Sequence, residues 1–332
     1  MQTAGAPILE APILNDTSDV RQVVKRLSRV STQTAFYHLA EIWLVVAAAV
    51  YLSAVLVPLA SGILGVLVYL FSVAIVASRQ HALMVLVHEG IHKRLSRTLW
   101  INDWLARLAA GCPVFISLAK WRYIHLSHHQ YTNTPDDPDR AIYARYPVAS
   151  KQFLGLLVRD VCGLNVISTL KYFIDIPHLT SAFNRRFLGE TRVAQYCQVA
   201  DMWVFYLFWS VVGIGGLWLV GSQAALMFLL YWLVPYCTWT QVFFRIRGAI
   251  EHGNVPDPHN PYQQTRTYFI PAWLGFFFAP KNVNYHLEHH LYPSIPFCNL
   301  PRMHAVLKRA VYPRESGYCE PFGVSLRKLA ER

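Results

Sequence analysis

The residues in this chain best suited to catalytic chemistry are histidines, because they are numerous and regularly spaced. Fourteen are present, and eight of them fall into three motifs: HEGIH at 88–92, HLSHH at 125–129 and HLEHH at 286–290. Residues three and four positions apart share one face of a helix. Each motif can therefore direct two or three imidazole nitrogens at a single point, as a metal site requires. The candidate ligands in these motifs are His88, His92, His125, His128, His129, His286, His289 and His290.

A ninth histidine, His252, is expected to join them because of its place after an apolar segment. Lys, Arg, Asp and Glu are absent from 42–78 and from 202–244. His88 follows the first uncharged segment by ten residues, and His252 follows the second by eight. At about 1.5 Å per helical residue, both would lie roughly 12–15 Å beyond the uncharged sequence. Nine imidazoles exceed the needs of one ion, so we expect two metal ions, and iron, copper and zinc all accept imidazole.

The composition indicates an integral membrane protein. Of 332 residues, 54% are hydrophobic and 15% are charged, whereas a soluble domain has about 25% charged residues. The uncharged segments contain 37 and 43 residues, and a spanning helix needs roughly 20, so each segment can cross the bilayer twice. Turns are expected after Pro58 and at Gly221. The predicted helices cover about 40–58, 62–80, 203–220 and 223–244.

We therefore predict an all-α membrane protein with four transmembrane helices in two hairpins and a cytosolic helical cap that holds the metal site. The basic residues lie outside the uncharged segments, which favours a cytoplasmic location for the cap and both termini. The segments 99–118 and 268–279 are expected to lie in the membrane interface; six crossings are the alternative. The predicted divisions are a flexible N-terminal tail and cytosolic entry at 1–38, a membrane and catalytic domain at 39–310, and a cytosolic tail at 311–332.

Two other classes are disfavoured by composition. A net charge of +11 could indicate nucleic-acid binding, but no basic helix stands apart from the apolar segments. Six scattered cysteines form no CxxC pair, so neither a zinc knuckle nor an iron–sulfur cluster is expected.

The motifs and their flanks resemble those of the membrane fatty acid desaturase and hydroxylase superfamily. That family has HxxxH, then HxxHH about thirty residues later, then a second HxxHH after the second membrane hairpin, and the three motifs here follow this order and spacing. The flanking sequences PVF at 113–115, NTPDDPD at 133–139, NY at 284–285 and LYPSIP at 291–296 also fit. In such enzymes a further histidine after the last spanning helix completes the ligand set, a place that His252 occupies.

The resemblance implies two iron ions, O2 as co-substrate and a long-chain apolar substrate. It also implies two electrons per turnover from a separate electron-transfer protein of the ferredoxin or cytochrome b5 type, because the chain contains no HPGG haem motif. Breaking an unactivated C–H bond requires an oxidant stronger than any side chain. We predict desaturation of a fatty acyl chain that is linked to a lipid or held as a thioester. Hydroxylation or ketolation of a fatty acid or carotenoid is the alternative on the same scaffold.

Four polar residues are candidates for holding the outer nitrogens of the ligands, since metal-binding histidines usually donate their second N–H to a carboxylate or carbonyl. These are Asp137, Asp139, Glu251 and Asn284. The two aspartates could instead cap a turn. Glu89 and Glu288 lie inside the motifs. For all three glutamates, solvent exposure is the alternative interpretation.

Two unrelated functions compete with this interpretation. HEGIH at 88–92 also satisfies the HExxH motif of zinc proteases, but an intramembrane protease would leave six other clustered histidines without a role. A metal transporter would need polar ligands within its spanning helices, and the uncharged segments contain no histidine.

Overall fold

The computed structural model describes residues 17–174, 192–312 and 317–330, and these parts of the chain are mainly helical. The helices are α1 Thr17–Leu27, α2 Thr32–Leu59, α3 Ile63–Ile91, α4 Leu99–Trp104, α5 Leu118–Tyr131, α6 Arg140–Tyr143, α7 Ser150–Val161, α8 Val166–Phe173, α9 Arg192–Val220, α10 Gln223–Phe228, α11 Val234–Cys237, α12 Trp239–His252, α13 Ala272–Phe278, α14 His286–Leu291, α15 Leu300–Ala310 and α16 Phe322–Lys328. Two three-residue strands, β1 Thr267–Phe269 and β2 Cys319–Pro321, pair in parallel.

Four helical segments of the described chain are long and apolar enough to cross a membrane, as the sequence predicted. Their bounds are Thr32–Leu59, Ile63–Ile91, Asp201–Val220 and Gln223–His252. The fourth contains a π-helical turn at Leu229–Leu233 and a break at Thr238, whose φ and ψ are −115° and −94°. The second and fourth extend well beyond the uncharged sequence. These extensions carry His88 and His252, so both helices continue beyond the uncharged sequence as the predicted positions of the two histidines required.

The turn between α2 and α3 depends on a glycine. Gly62 has a φ of 52°, which favours glycine because it has no Cβ. The two helices then lie against each other, with Ser72 Oγ donating to the carbonyl of Ala49 at 3.1 Å. Their outer faces carry exposed apolar side chains such as Leu44 and Phe71, which is the surface that a lipid environment requires. Their inner faces contribute to a core around Ile42.

The polar parts of the chain contain features that sequence patterns did not indicate. Helices α7 and α8 meet at an angle of 76° and together would be long and apolar enough for a fifth, broken span. Segment 99–118 forms α4 and then a π-helix at Leu105–Gly111, and segment 268–279 contains the short helix α13. The strand pair is a small departure from an all-α fold.

Both terminal segments contain regular secondary structure within the described residues. Residues 1–16, 313–316 and 331–332 lie outside the described residues, and the prediction for the N-terminal tail falls partly on them. Within 17–38, however, the chain forms α1 and the start of α2. At the other end, Leu329 is fully buried and its carbonyl accepts from Val148 N at 3.0 Å. The C-terminal segment therefore packs as part of the fold.

Candidate metal centre

Four helices deliver the nine predicted histidines. The long helix α3 carries the first motif, α5 the second, the end of α12 carries His252, and the six-residue helix α14 carries the third motif. Helix α5 begins at Ser117, whose side chain accepts from Lys120 N at 3.2 Å and donates to Asp201 at 3.0 Å. This N-cap fixes the start of the helix, and so the direction of its histidines.

The nine imidazoles come together in two groups. Within each group, one nitrogen from every ring lies within 4.8 Å of the others. The five-histidine group contains His88, His92, His125, His129 and His289. The four-histidine group contains His128, His252, His286 and His290. The groups adjoin, since the rings of His129 and His290 are stacked with centroids 4.2 Å apart.

Each HxxHH motif contributes to both groups, whereas the sequence predicted that a motif would aim at one point. The histidines at i and i+4 stay together: His125 with His129, and His286 with His290. The histidine at i+3 lies about 100° of helical rotation from its i+4 neighbour and joins the other group. The second motif therefore gives two histidines to the five-histidine group and one to the four-histidine group, and the third motif does the reverse. Both motifs thus link the two groups.

The spacing of the nitrogens fits ligands that share an ion. Two nitrogens that bind a metal at about 2.1 Å and at right angles are roughly 3.0 Å apart. In the five-histidine group, His129 Nε2 lies 3.0 Å from His125 Nε2 and 3.1 Å from His289 Nε2. In the four-histidine group, His286 Nε2 lies 2.8 Å from His252 Nε2 and 3.1 Å from that of His290.

Several of these nitrogens have no other partner in the described chain. Both ring nitrogens of His88 and Nε2 of His92 are buried without a hydrogen bond. Buried polar atoms are nearly always satisfied. A metal ion would satisfy one nitrogen of each ring, and His88 Nδ1 would then carry the proton 3.6 Å from the Glu89 carboxylate. The residues present therefore fit the expected group.

The close packing of the first motif depends on Gly90. A Cβ on this residue would lie 2.3 Å from the Cβ of Ala106 in the π-helix. Only glycine allows this approach of the π-helix to α3. The backbone carbonyl of Gly90 also accepts from Arg122 at 2.9 Å and from Asn102 at 2.9 Å. These contacts fix α3 at the level of His88 and His92.

Burial keeps most of the imidazoles neutral. Burial, followed by repulsion from neighbouring cations, lowers the pKa of His92 to about 3. Burial and repulsion between the histidines also lower the pKa values of His125, His129, His286, His289 and His290 well below the usual value. Neutral imidazole is the form that binds metal.

His128 differs from the others because it has a carboxylate partner. Its Nδ1 donates to Asp137 at 2.9 Å, and Asp137 also accepts from the Tyr143 hydroxyl. Burial opposes charge on His128, but the Asp137 hydrogen bond and nearby carboxylates outweigh it and raise the pKa of the imidazole. Burial likewise opposes charge on Asp137, yet the His128 contact lowers its pKa. Asp137 thus fixes the proton on Nδ1 and leaves Nε2 facing the four-histidine group.

The other three predicted polar neighbours occupy different places. Asp139 lies 3.9 Å from His128 Nδ1 and accepts from Tyr172 at 2.5 Å. Glu251 lies 3.6 Å from His286 Nε2 and accepts from Arg247 at 2.9 Å. Among the described residues, Asn284 forms no hydrogen bond with a histidine.

The side-chain Nδ2 of Asn284 instead donates to the backbone carbonyl of Tyr268 at 3.0 Å, and the backbone carbonyl of Asn284 accepts from Tyr268 N at 3.1 Å. It joins the start of the third motif to β1, and is a scaffold residue in this structure.

The two glutamates within the motifs are buried, which excludes the alternative of solvent exposure. Glu89 accepts from Phe297 N at 3.0 Å. Glu288 accepts from His304 Nδ1 at 2.7 Å, from Tyr312 at 2.5 Å and from Thr267. The role of Glu288 has no local sequence signal, because its three partners are 16 to 24 residues away.

A cavity of about 40 Å³ borders the four-histidine group. Its lining includes the apolar side chains of Trp121 and Phe244 and the polar groups of Asp139 and Arg247. This volume suits about one water molecule, so a long chain could enter only after side chains move.

Comparison with known proteins finds a matching family model and several similar proteins. The family model described as fatty acid desaturase matches residues 64–322. Dihydrorhizobitoxine desaturase of Bradyrhizobium elkanii is 28% identical over 69% of this chain and 64% of its own length. The sn-1 oleoyl-lipid 12-desaturase of a Picosynechococcus strain is 25% identical over 68% of this chain and 65% of its own length.

A third relative, the sn-1 acyl-lipid omega-3 desaturase (ferredoxin) of a Nostoc strain, is 23% identical over 68% of this chain and 64% of its own length. The chain therefore spans just under two thirds of the length of these relatives.

Proposed function

Because the chain belongs to the fatty acid desaturase family, we propose that it is an O2-dependent membrane oxidoreductase that introduces a double bond into a lipid-linked acyl chain. The single observation that carries the proposal is the convergence of nine imidazoles in two adjoining groups. An HExxH protease would use one pair of histidines and a free glutamate, whereas Glu89 is occupied by a backbone N–H at 3.0 Å.

We assign one iron ion to each group of histidines. The five-histidine group would hold the first, and the four-histidine group the second. When bound, the two ions would supply with O2 the oxidising power for removing hydrogen from an unactivated carbon chain. Imidazole suits iron but also copper and zinc, so the choice of iron rests on the family.

The side chains have supporting roles in this proposal. Asp137 holds the Nδ1 proton of His128 and orients the ring, and such partners typically matter 10- to 100-fold for metal affinity or activity. Glu288 orients the third motif through its hydrogen bonds with His304, Tyr312 and Thr267. Arg247 pairs with Glu251 at 2.9 Å in the cavity wall and thereby limits the charge beside the site.

The overall reaction consumes one O2, two electrons and two protons for each double bond. Two hydrogen atoms leave adjacent carbons of the acyl chain, and two water molecules form. The electrons would come from a separate carrier of the ferredoxin or cytochrome b5 type, and one relative carries ferredoxin in its name. Two relatives have acyl-lipid or oleoyl-lipid substrates in their names, which supports a lipid-linked chain here.

We propose that the four long apolar segments form two membrane hairpins, with the catalytic centre on the cytoplasmic face. The basic residues outside the uncharged segments favour this orientation. Residues 39–310 would then form the membrane and catalytic domain, preceded by the cytosolic entry at 1–38 and followed by the cytosolic segment at 311–332.

The test is expression in a host of defined lipid composition, followed by mass spectrometry of lipids and pigments under O2. Acyl chains lighter by two hydrogens, absent from cells that express His128→Ala, would support desaturation. Products that gain an oxygen atom would show hydroxylation or ketolation instead. Unchanged lipids at normal iron loading would contradict the proposal.

A further inference from the structure

A groove beside the first histidine motif concentrates positive charge at the protein surface. It has a volume of about 640 Å³ and lies between the chain that enters α2 and the chain that leaves α3. Its lining contains four cationic side chains, Arg29, Lys93, Arg94 and Arg97, and no carboxylate. We refer to it as the basic groove.

Within the described chain none of the four cations of the basic groove lies within ion-pair distance of a carboxylate, and only Arg94 interacts with one at longer range, the buried Glu89. Arg29, Lys93 and Arg97 are exposed. Arg97 donates to the carbonyl of Val30 at 2.9 Å, which fixes one wall of the groove. Unpaired like charges repel each other, so the groove is complementary to an anionic partner.

The groove reaches the backbone of a candidate iron ligand. Arg94 Nε donates to the carbonyl of His92 at 2.7 Å, and Arg94 Nη1 donates to the carbonyl of Ser294 at 2.9 Å. His92 belongs to the five-histidine group. A partner bound in the groove would therefore lie next to the metal centre.

Depth and composition favour a protein over a lipid headgroup. Lys93 follows Ser78, the last residue of the uncharged segment, by fifteen residues, most of them in α3, which corresponds to roughly 22 Å. The headgroup layer is only about 5–8 Å thick on each side of the bilayer. Leu99 lines the groove and Trp100 follows it in the chain, and their side chains are 56% and 66% exposed. This depth places both residues beyond the membrane interface that the sequence predicted for 99–118. Arginine with exposed aromatic groups is typical of protein interfaces.

We propose that the basic groove is the docking site for a small acidic one-electron carrier protein, a role that rests on the function proposed above. Two reduced carriers would bind in succession, and each would lose one electron for every double bond formed. The two protons and the O2 come from solution. Charge complementarity would act mainly on the rate of association.

The test compares charge reversals inside and outside the groove. Arg29→Glu/Lys93→Glu lowers the net charge by four units, and Lys151→Glu/Arg327→Glu makes the same change at exposed positions outside the groove. The probes are a plant-type [2Fe–2S] ferredoxin and soluble cytochrome b5, with the purified protein in detergent. We expect the groove variant to raise the KM for the more active carrier at least tenfold and to flatten its salt dependence. The control should change KM less than twofold.

Direct measurements separate failure of this inference from failure of the proposed function. In a single-turnover experiment the protein is reduced chemically, the reductant is removed and O2 is added. The unaltered protein, the groove variant and the control variant should give the same yield of desaturated product. Carrier binding is measured independently by thermophoresis. No product from the unaltered protein would contradict the proposed function alone. Binding to phosphatidylglycerol vesicles is measured for the same three proteins. Equal carrier affinity in the groove and control variants would overturn the docking site. A groove variant that loses vesicle binding but keeps carrier binding would overturn it as well.

Discussion

Glu288 accepts a hydrogen bond of 2.7 Å from His304 on the side of α14 that points away from its three histidines. A helix of six residues does not hold its conformation alone, so contacts behind it must fix it. Tyr312 at 2.5 Å and Thr267 complete the set around the carboxylate. One buried carboxylate thus orients His289 for one metal group and two histidines for the other.

We expect Glu288→Ala to lower iron content, because α14, which contributes histidines to both groups, loses its anchor and three buried donors are left unpaired. Such a loss costs on the order of 1–3 kcal/mol per group. Metal analysis of the purified protein should show fewer than one iron per chain.

Glu288→Gln is the matched variant for this prediction. Its carbonyl can accept from His304 and Tyr312, and its NH2 can donate to the hydroxyl of Thr267. It should keep most of the iron. Equal iron loss in both variants would mean that the charge, rather than the hydrogen bonds, is what matters.

The division of the motifs predicts different losses for two single substitutions. His128→Ala should reduce occupancy of the four-histidine group, and His289→Ala that of the five-histidine group. Each should lower iron from two towards one per chain and abolish turnover, while membrane insertion and yield remain normal. Retention of turnover by both variants would contradict the metal assignment.

Asp137→Asn should impair the centre more than Asp139→Asn does. Asp137 accepts directly from His128 Nδ1 at 2.9 Å, whereas Asp139 is 3.9 Å away. We expect a 10- to 100-fold loss of activity or iron affinity for the first, and a smaller one for the second. Iron titration of the two apoproteins measures this; the reverse order would show that Asp137 only caps the turn.

Iron-free protein should lose stability as the pH falls below about 6.5. The buried histidines have lowered pKa values in the folded chain, to about 3 for His92, so protons bind the unfolded chain first. Stability should therefore be highest above the ordinary histidine pKa and decline continuously towards pH 3. Thermal unfolding of the chelated protein between pH 8 and pH 5 checks the sign, and a rise in stability on acidification would refute it.

The sequence predicted which histidines come together better than it predicted the residues around them. His252 was predicted from its position after the second apolar segment. Spacing indicated the other eight, because helical periodicity places i and i+4 on one face. It could not assign the i+3 histidines to a group, since that depends on how α5 and α14 face each other. Glu288 was missed for the same reason, as its partners come from β1 and α15.

The sequence did not predict the elements that lack a regular apolar pattern, such as α7 and α8. The four long spans are signalled by uncharged sequence. Helices α7 and α8 are not, because charged residues interrupt them and the chain turns at Gly163, whose φ is 73°. Their 76° bend is a tertiary feature that a sequence window does not register.

The most direct test of the central claim is anomalous X-ray diffraction at the iron absorption edge from crystals of the purified protein. The account predicts two iron peaks per chain, one among His88, His92, His125, His129 and His289, and the other among His128, His252, His286 and His290. A single peak, or a zinc signal with no iron, would contradict it.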